Sequence, residues 1–349
     1  MLFWTMLILI AAVCTFICWM CFNSLKTSKD PQEKIAVLTV VVPFKNEEER
    51  LPFLIDSINS QSIPQKMTVH FLFVDDRSTD SGIMAIEKLK YSFEIITNNG
   101  SGKKAAIHQG VLRANSEYML TLDADVILPP DYFQLLHKWG GSDLMILPVN
   151  MKGTSIIGSW SCIEFDYLQM ITFGLARLLK PILCNGANLL FRKQLYVDAC
   201  RMRDDFNLAS GDDYFLLQAA KRLGAKITSS NNSDLQVKTP APANFSSLLN
   251  QRKRWVSKID YRLDEVVGGL VVLFYQFFFL MVVGLSWLNP ALLILAGSKL
   301  IFEWIILSVY RKEVYSLSAV FLNQLISPFY YTALLTHKVD EPKWHLEKE

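Results

Sequence analysis

The chain opens with a run, residues 2–22, from which every charged side chain is missing. The run is long enough to cross a hydrocarbon layer of about 30 Å. A secretory signal carries a basic stretch before a shorter apolar core and small residues behind it. Here nothing basic precedes the run, and it continues through Cys21 and Phe22. The pattern predicts an uncleaved transmembrane anchor over residues 2–22. Lys26, Lys29 and Lys34 follow it, and the positive-inside bias then places the next domain in the cytosol, at the cell (inner) membrane.

From residue 37 the pattern changes to alternation. Residues 37–42 are mostly β-branched and end at Pro43, which reads as a buried strand. Leu51, Leu54, Ile55 and Ile58 fall on one face of a helix. Strands are then predicted at 69–74, 93–96 and 118–122, and helices at 81–89 and 104–114. Such alternation implies an α/β domain, over residues 35–258, with a mostly parallel sheet covered on both faces. Ligands of such sheets bind beyond the carboxyl ends of the strands. Asp75, Asp76 and Asp123 sit at predicted strand ends.

The last quarter returns to apolar runs. Spans are predicted at 266–285, 288–309 and 317–336, making a membrane region over 266–336. Arg311 and Lys312 follow the second of these spans and belong on the cytosolic side. Pro328 interrupts the third, as a kink or a re-entrant segment. Lys299 and Glu303 lie four residues apart near the middle of the second, so they share a helix face. Either they pair with each other against neighbouring helices, or their face lines a route for the polar head of a substrate.

Composition narrows the picture. Hydrophobic residues make up 51% of the chain, and the excess is concentrated at the two ends. A net charge of +2 without a basic stripe over the middle argues against a nucleic-acid partner. Of the six cysteines, Cys14, Cys18 and Cys21 lie in the anchor as small apolar residues. Cys162, Cys184 and Cys200 lack CxxC spacing and fit reduced thiols in a cytosolic compartment.

Four clusters carry candidate chemistry. FVDDRSTD (73–80) puts carboxylates directly after a strand, where they are costly to desolvate unless they bind something; Ser78, Thr79 or Asp80 can also cap the next helix. TLDADV (121–126) pairs Asp123 with Asp125 after another strand, a geometry hard divalent cations share with phosphates. SGDDYFLL (210–217) sets Asp212 and Asp213 at a helix start, where the macrodipole favours negative charge, or where one of them serves as a general base. QRKRW (251–255) precedes a predicted span, as a juxtamembrane basic patch or as a diphosphate clamp beside an aromatic platform.

Taken in this order, the clusters resemble family-2 glycosyltransferases of the GT-A fold, over about residues 37–258. They are most similar to the membrane-integrated type with DxD and QxxRW motifs, which includes ceramide glucosyltransferase and the hyaluronan and cellulose synthases. GKKAAIHQG (102–110) and NGANLLFRK (185–193) match the family's habit as well. The resemblance implies a GT-A nucleotide-diphospho-sugar transferase domain with transmembrane helices, and an inverting transfer of a sugar from a nucleotide diphosphate donor to a membrane-associated acceptor. By it, Asp76 accepts from the base, by analogy uracil, and Lys103, Asp123, Gln251 and Arg254 bind the donor. Asp125 with Asp123 holds Mg2+ or Mn2+. Asp213 is the general base and shares catalysis with Arg254, while Trp255 and Asp212 line the acceptor side. The base motif reads GDD where the family more often has ED; Asp213 is chosen because Leu216 then follows three residues later. A lipid acceptor and single transfer fit the compact chain, with a processive polysaccharide synthase, a nucleotidyltransferase or a non-catalytic nucleotide-sugar sensor as alternatives. A P-loop is excluded because Lys103 is followed by Lys104 and not by Ser or Thr, and a dinucleotide fold lacks its GxGxxG after the first strand.

Overall fold

A computed structural model describes residues 2–25, 33–176, 181, 183–202, 211–256 and 275–336. The first helix is α1 (Leu2–Leu25). Then come β1 (Val37–Phe44), α2 (Leu51–Asn59), β2 (Thr68–Asp75), α3 (Ile83–Ile86), β3 (Phe93–Thr97), α4 (Gly102–Arg113), β4 (Tyr118–Leu122) and α5 (Tyr132–Leu136). These are followed by β5 (Leu144–Ile146), β6 (Val149–Lys152), α6 (Ile156–Ala176), β7 (Asn188–Arg192), α7 (Lys193–Cys200), α8 (Asp212–Arg222), β8 (Ile227–Ser229) and β9 (Val237–Pro240). Beyond them lie α9 (Phe245–Val256), α10 (Tyr275–Leu285), α11 (Leu292–Arg311) and α12 (Leu317–Thr336).

The elements form two compact units, one built on a sheet and one on helices. The sheet unit holds Lys26–Met151 and Leu175–Pro240. Its strands run in the order β3-β2-β1-β4-β7-β5-β8. β1 to β4 are mutually parallel, β7 is antiparallel to both β4 and β5, and β8 is parallel to β5. The α/β, mostly parallel sheet expected from the alternation is therefore present. The run of Val and Leu in β1 is buried from Leu38 to Phe44, as a strand sandwiched on both faces requires. The chain winds from β1 to β3 in one direction and crosses to β4 on the other side of β1. That reversal falls at β1 and β4, and open sheets bind ligands at the carboxyl ends of the strands flanking such a reversal.

The helix expected at 81–89 shrinks to α3. Its continuation closes by three-residue spacing, with Lys88 N–H donating to the Ala85 carbonyl and Leu89 N–H to that of Ile86, so the turn tightens instead of propagating. Asp80 does not cap it in the expected way. Its carboxylate accepts from the backbone N–H of Glu48 at 2.8 Å and of Gly82 at 3.2 Å, which binds the loop after β1 to the loop after β2.

The helical unit holds Met1–Leu25, Lys152–Gly174 and Ala241–Pro342. Phe278, Phe279 and Val282 of α10 pack with Leu292, Leu295 and Ala296 of α11. Ile163 of α6, Leu307 of α11 and Val320 of α12 form a second core, and Trp160, Leu248, Tyr330 and Leu334 a third. Among the described residues, one helix, Leu292–Arg311, is long and apolar enough to cross a membrane. The first nine residues of the expected span at 266–285 lie outside the described residues, which take it up at Tyr275. α12 runs unbroken through Pro328.

Polarity in α11 is reversed relative to a soluble helix. Ile294 is 73% exposed, and Leu293, Ile301, Ile305 and Val309 are exposed too, whereas Lys299 and Glu303 are each 1% exposed. Lys299 donates to Glu303 at 2.5 Å and to Gln324 of α12, and Gln324 in turn donates to Glu303. The Lys299 ammonium also lies 4.2 Å from the Tyr275 ring centroid. Of the two explanations for this pair, the geometry favours mutual pairing against neighbouring helices.

Gly110, in α4, rests on the sheet where β1 and β2 meet. A Cβ there would lie 2.7 Å from Val41 Cγ1 and 3.2 Å from Val74 Cγ2, both in the core. Alanine normally improves a helix by about 1 kcal/mol over glycine. Here overpacking reverses the sign, and Gly110→Ala should destabilise by about 1–3 kcal/mol. Thermal unfolding of wild type and variant tests this; an unchanged or higher Tm contradicts the packing.

Candidate functional site

Four loops of the sheet unit deliver the candidate residues. Asp76 follows β2 and is 2% exposed. Its Oδ1 accepts from Asn98 Nδ2 at 2.6 Å, and the Gly102 N–H that opens α4 donates to both of its oxygens, at 3.1 and 3.2 Å. Lys45, just after β1, comes within 3.5 Å of its Oδ2. The carboxylate thus compensates the positive end of α4 and fixes the first turn of that helix, which carries Lys103. Asn46 and Arg77 adopt positive φ, 53° and 61°, in the loops beside it. The Asn46 side chain accepts from Thr79 N–H at 2.8 Å, and its own N–H donates to Ser78 Oγ at 3.0 Å. Strained non-glycine backbone held in this way concentrates at functional sites.

Lys103 is the electrostatic centre. Its ammonium pairs with Asp123 directly after β4. Burial pulls its pKa down, but the carboxylates of Asp123, Asp212 and Asp213 outweigh burial and hold it above the ordinary lysine value. The structure therefore gathers the DxD loop, the start of α4 and the start of α8 around one positive charge. Asp125 stands beside them. Its Oδ2 lies 3.6 Å from Arg50 Nη1, and its Oδ1 accepts from Thr239 Oγ1 at 3.4 Å. Burial first, and then repulsion by Asp123, push its carboxyl up to about 6, against the pull of Arg50 and Lys103.

Gly211 enters α8 at φ 100°, the left-handed turn its position predicts, and Asp212 and Asp213 form the first turn. Both Asp213 oxygens accept backbone N–H groups, from Tyr214 at 2.7 Å and from Gly186 at 3.1 Å. The Cys184 thiol donates to the Asp213 carbonyl at 3.2 Å. NGANLLFRK thus acts at two points: its first turn holds Asp213, and Asn188 ties β7 down through Tyr132, Pro148 and Leu235. Ser210, and the residues before it in that loop, lie outside the described residues.

Gln251, Arg254 and Trp255 stand on α9, in the helical unit, and are partly buried. Gln251 Oε1 accepts from the neighbouring Arg252, whose guanidinium lies 4.0 Å from the Trp255 ring centroid. The sequence reading missed Asn98, Arg50, Thr239 and Arg252. An Asn-Asn-Gly turn marks Asn98 only as loop. Nothing in the local sequence marks the other three as partners of the motif residues. Among the described residues, no group of three or more His, Cys, Asp or Glu side chains could hold a metal ion. The protein can offer a cation the two DxD carboxylates, with further oxygens coming from a ligand or solvent.

Comparison with known proteins gives the family and the fold. The profile of glycosyl transferase family 2 matches residues 39–141. That of glycosyl transferase family group 2 matches residues 118–335. An undecaprenyl-phosphate 4-deoxy-4-formamido-L-arabinose transferase of Proteus mirabilis (strain HI4320) is 33% identical over 104 residues, 28% of this chain and 32% of the relative. Its namesake from Photorhabdus laumondii is 32% identical over 111 residues, 30% of this chain and 34% of the relative. The chain thus aligns with about a third of the length of these curated relatives. Among solved structures, the mannosyltransferase PcManGT from Pyrobaculum calidifontis, in complex with GDP-Man and Mn2+, superposes with a TM-score of 0.54 at 15% identity, covering 93% of this chain and 98% of that one. The fold is the GT-A α/β fold expected from the motifs. With more than half of its length matched by one family profile, the chain belongs to glycosyl transferase family group 2.

Proposed function

We propose that the protein is an inverting glycosyltransferase of the membrane-integrated, DxD and QxxRW type, moving a sugar from a nucleotide diphosphate donor to a lipid acceptor. The observation that carries this reading is the convergence of Asp123, Asp212 and Asp213 on Lys103 at the carboxyl end of the sheet, with Asp125 alongside. This grouping supports the reading because glycosyl transfer needs a cation at the leaving diphosphate and a carboxylate at the acceptor.

In this reading Lys103 exchanges its contact with Asp123 for the donor's phosphates. Asp125 and Asp123 hold Mg2+ or Mn2+, and the fit rests on Asp125: its elevated carboxyl, crowded by Asp123, is a group a cation would relieve. When bound, the ion neutralises the developing charge on the diphosphate. Asp76 faces the base, and Gln251 and Arg254 contact the diphosphate. Asp213, oriented by two N–H groups, takes the proton of an acceptor hydroxyl, with Asp212 and Trp255 on the acceptor side. UDP-sugar is the favoured donor by family analogy.

The reversed polarity of α11 supports a membrane setting; the reading keeps the glycosyltransferase region, 35–258, in the cytosol, the anchor at 2–22 and the spans near 266–336, although α6 and α9 of that region fall in the helical unit. The names of the curated relatives favour a second reading of the acceptor, a polyprenyl phosphate. A phosphate monoester loses its second proton near pH 6 and needs no base. A screen of nucleotide sugars against extracted lipids, with the full chain in membranes and mass-spectrometric readout, tests the activity. Donor-dependent sugar-lipid formation is expected; donor binding without any transfer leaves a sensor.

Asp213→Asn separates the two acceptors. With a hydroxyl acceptor, transfer should fall by on the order of 10²–10⁴-fold while donor affinity stays, and Asp212→Asn should do less. With a phosphate acceptor the loss should be small. The reverse ranking of the two variants would overturn Asp213 as the base.

Asp125→Ala should abolish metal-dependent donor binding in a calorimetric titration with Mn2+ and leave the fold intact. The same affinity in wild type should fall as pH drops through about 6, because protonated Asp125 no longer ligates. A flat profile between pH 5 and pH 8, from about one unit below to about two units above that value, contradicts the ligand role.

Arg254→Lys should lose most transfer, since a point charge cannot copy a planar fork on a diphosphate. Near-wild-type kinetics would reduce QRKRW to a juxtamembrane basic patch.

A further inference from the structure

Arg252 is the residue of QRKRW to which the proposed reaction gives no task, and it is the most deeply buried of the five. It is 2% exposed and lies in the core of the helical unit. Its Nε donates to Glu164 Oε2 of α6 at 2.9 Å, and Glu164 is equally buried. Its Nη1 donates to Gln251 Oε1, and the guanidinium plane covers the Trp255 ring at 4.0 Å. Nη2 has no hydrogen-bond partner among the described residues. Trp255 also meets Phe165, the neighbour of Glu164, with ring centroids 6.0 Å apart.

A buried ion pair seldom adds stability over an apolar pair of similar volume, because desolvation offsets the attraction. What this one adds is geometry. Gln251 and Trp255, four residues apart, share a face of α9, while Arg252 points about 100° from Gln251 and about 60° from Trp255 around the helix axis. One guanidinium reaches both, and Glu164 fixes that guanidinium from another helix. We infer that Arg252, anchored by Glu164, is a positioning residue that sets the side-chain orientations of Gln251 and Trp255. The inference rests on the proposed role of those two residues in the transfer.

The test uses the full chain in detergent or membranes. Arg252→Lys keeps a charge for Glu164 and loses the planar fork and the stacking. Glu164→Gln with Arg252→Met removes both charges, leaves no orphan, and serves if the lysine variant does not fold. Each is made with and without Gln251→Ala and Trp255→Phe. The chain has eight tryptophans, so the Trp255 signal is taken as the difference from the matching Trp255→Phe protein. The expected result is a Trp255 emission more accessible to acrylamide, and a transfer rate lower by about 10²-fold, the scale of a misplaced positioning group. Combined with Gln251→Ala and Trp255→Phe, the Arg252 change should add almost nothing, since it acts through them. An unchanged Trp255 signal, or a kinetic loss that multiplies in full with the other two, overturns the proposal. If Trp255 responds as expected while Gln251→Ala with Trp255→Phe transfers at the wild-type rate, the positioning stands and the assigned role of the motif fails instead.

Discussion

Carboxylates from separate loops cannot be gathered at one end of a sheet without a cation to hold them. In this protein Lys103 meets that constraint: its ammonium is paired with Asp123 and lies in the field of Asp212 and Asp213. The rest of the sheet unit is arranged to deliver that ammonium. β2 ends at Asp75, the next carboxylate takes the first N–H of α4, and Lys103 follows at once. Gly110, about two turns further along α4, lets the helix lie close against β1 and β2. The cluster shares its cations, with Lys103 on Asp123 and Arg50 3.6 Å from Asp125, and in the proposed reaction a ligand that brings its own negative charge would take over the lysine.

The sheet, its parallel half and the acidic strand ends were legible in the sequence because a buried parallel strand leaves a plain signature, as residues 37–42 do. The DxD pair and the double aspartate at α8 were legible because Gly211 and the strand end at Leu122 mark where they must sit. What could not be read is who partners whom. Asp80 was free to be a helix cap by local rules, and it instead bridges two loops through Glu48 and Gly82 N–H. Arg50 and Thr239 are far apart in sequence, and only the fold brings both to Asp125. Helix α3 fell short because its local hydrophobic pattern carries no information about the tightening that follows Ile86.

In the helical unit the same physics runs with the opposite sign. Charges lie inside, as Lys299 with Glu303, Arg311 with Asp166 and Arg252 with Glu164, while the outer face of α11 is apolar. The four-residue spacing of Lys299 and Glu303 was readable; Gln324, which completes their hydrogen bonding from α12, was not. Such pairs make good tethers between helices where the surroundings offer no competing water.

The central claim is that the carboxylates around Lys103 form the place where a sugar nucleotide is held and split. Anomalous diffraction at the manganese edge, from crystals of the full chain grown with Mn2+ and a non-hydrolysable UDP-sugar, tests it most directly. The account predicts one manganese peak at Asp125 and Asp123, with the diphosphate bridging it to Lys103. A donor bound elsewhere on the molecule, with Asp123 still paired to Lys103, would contradict it.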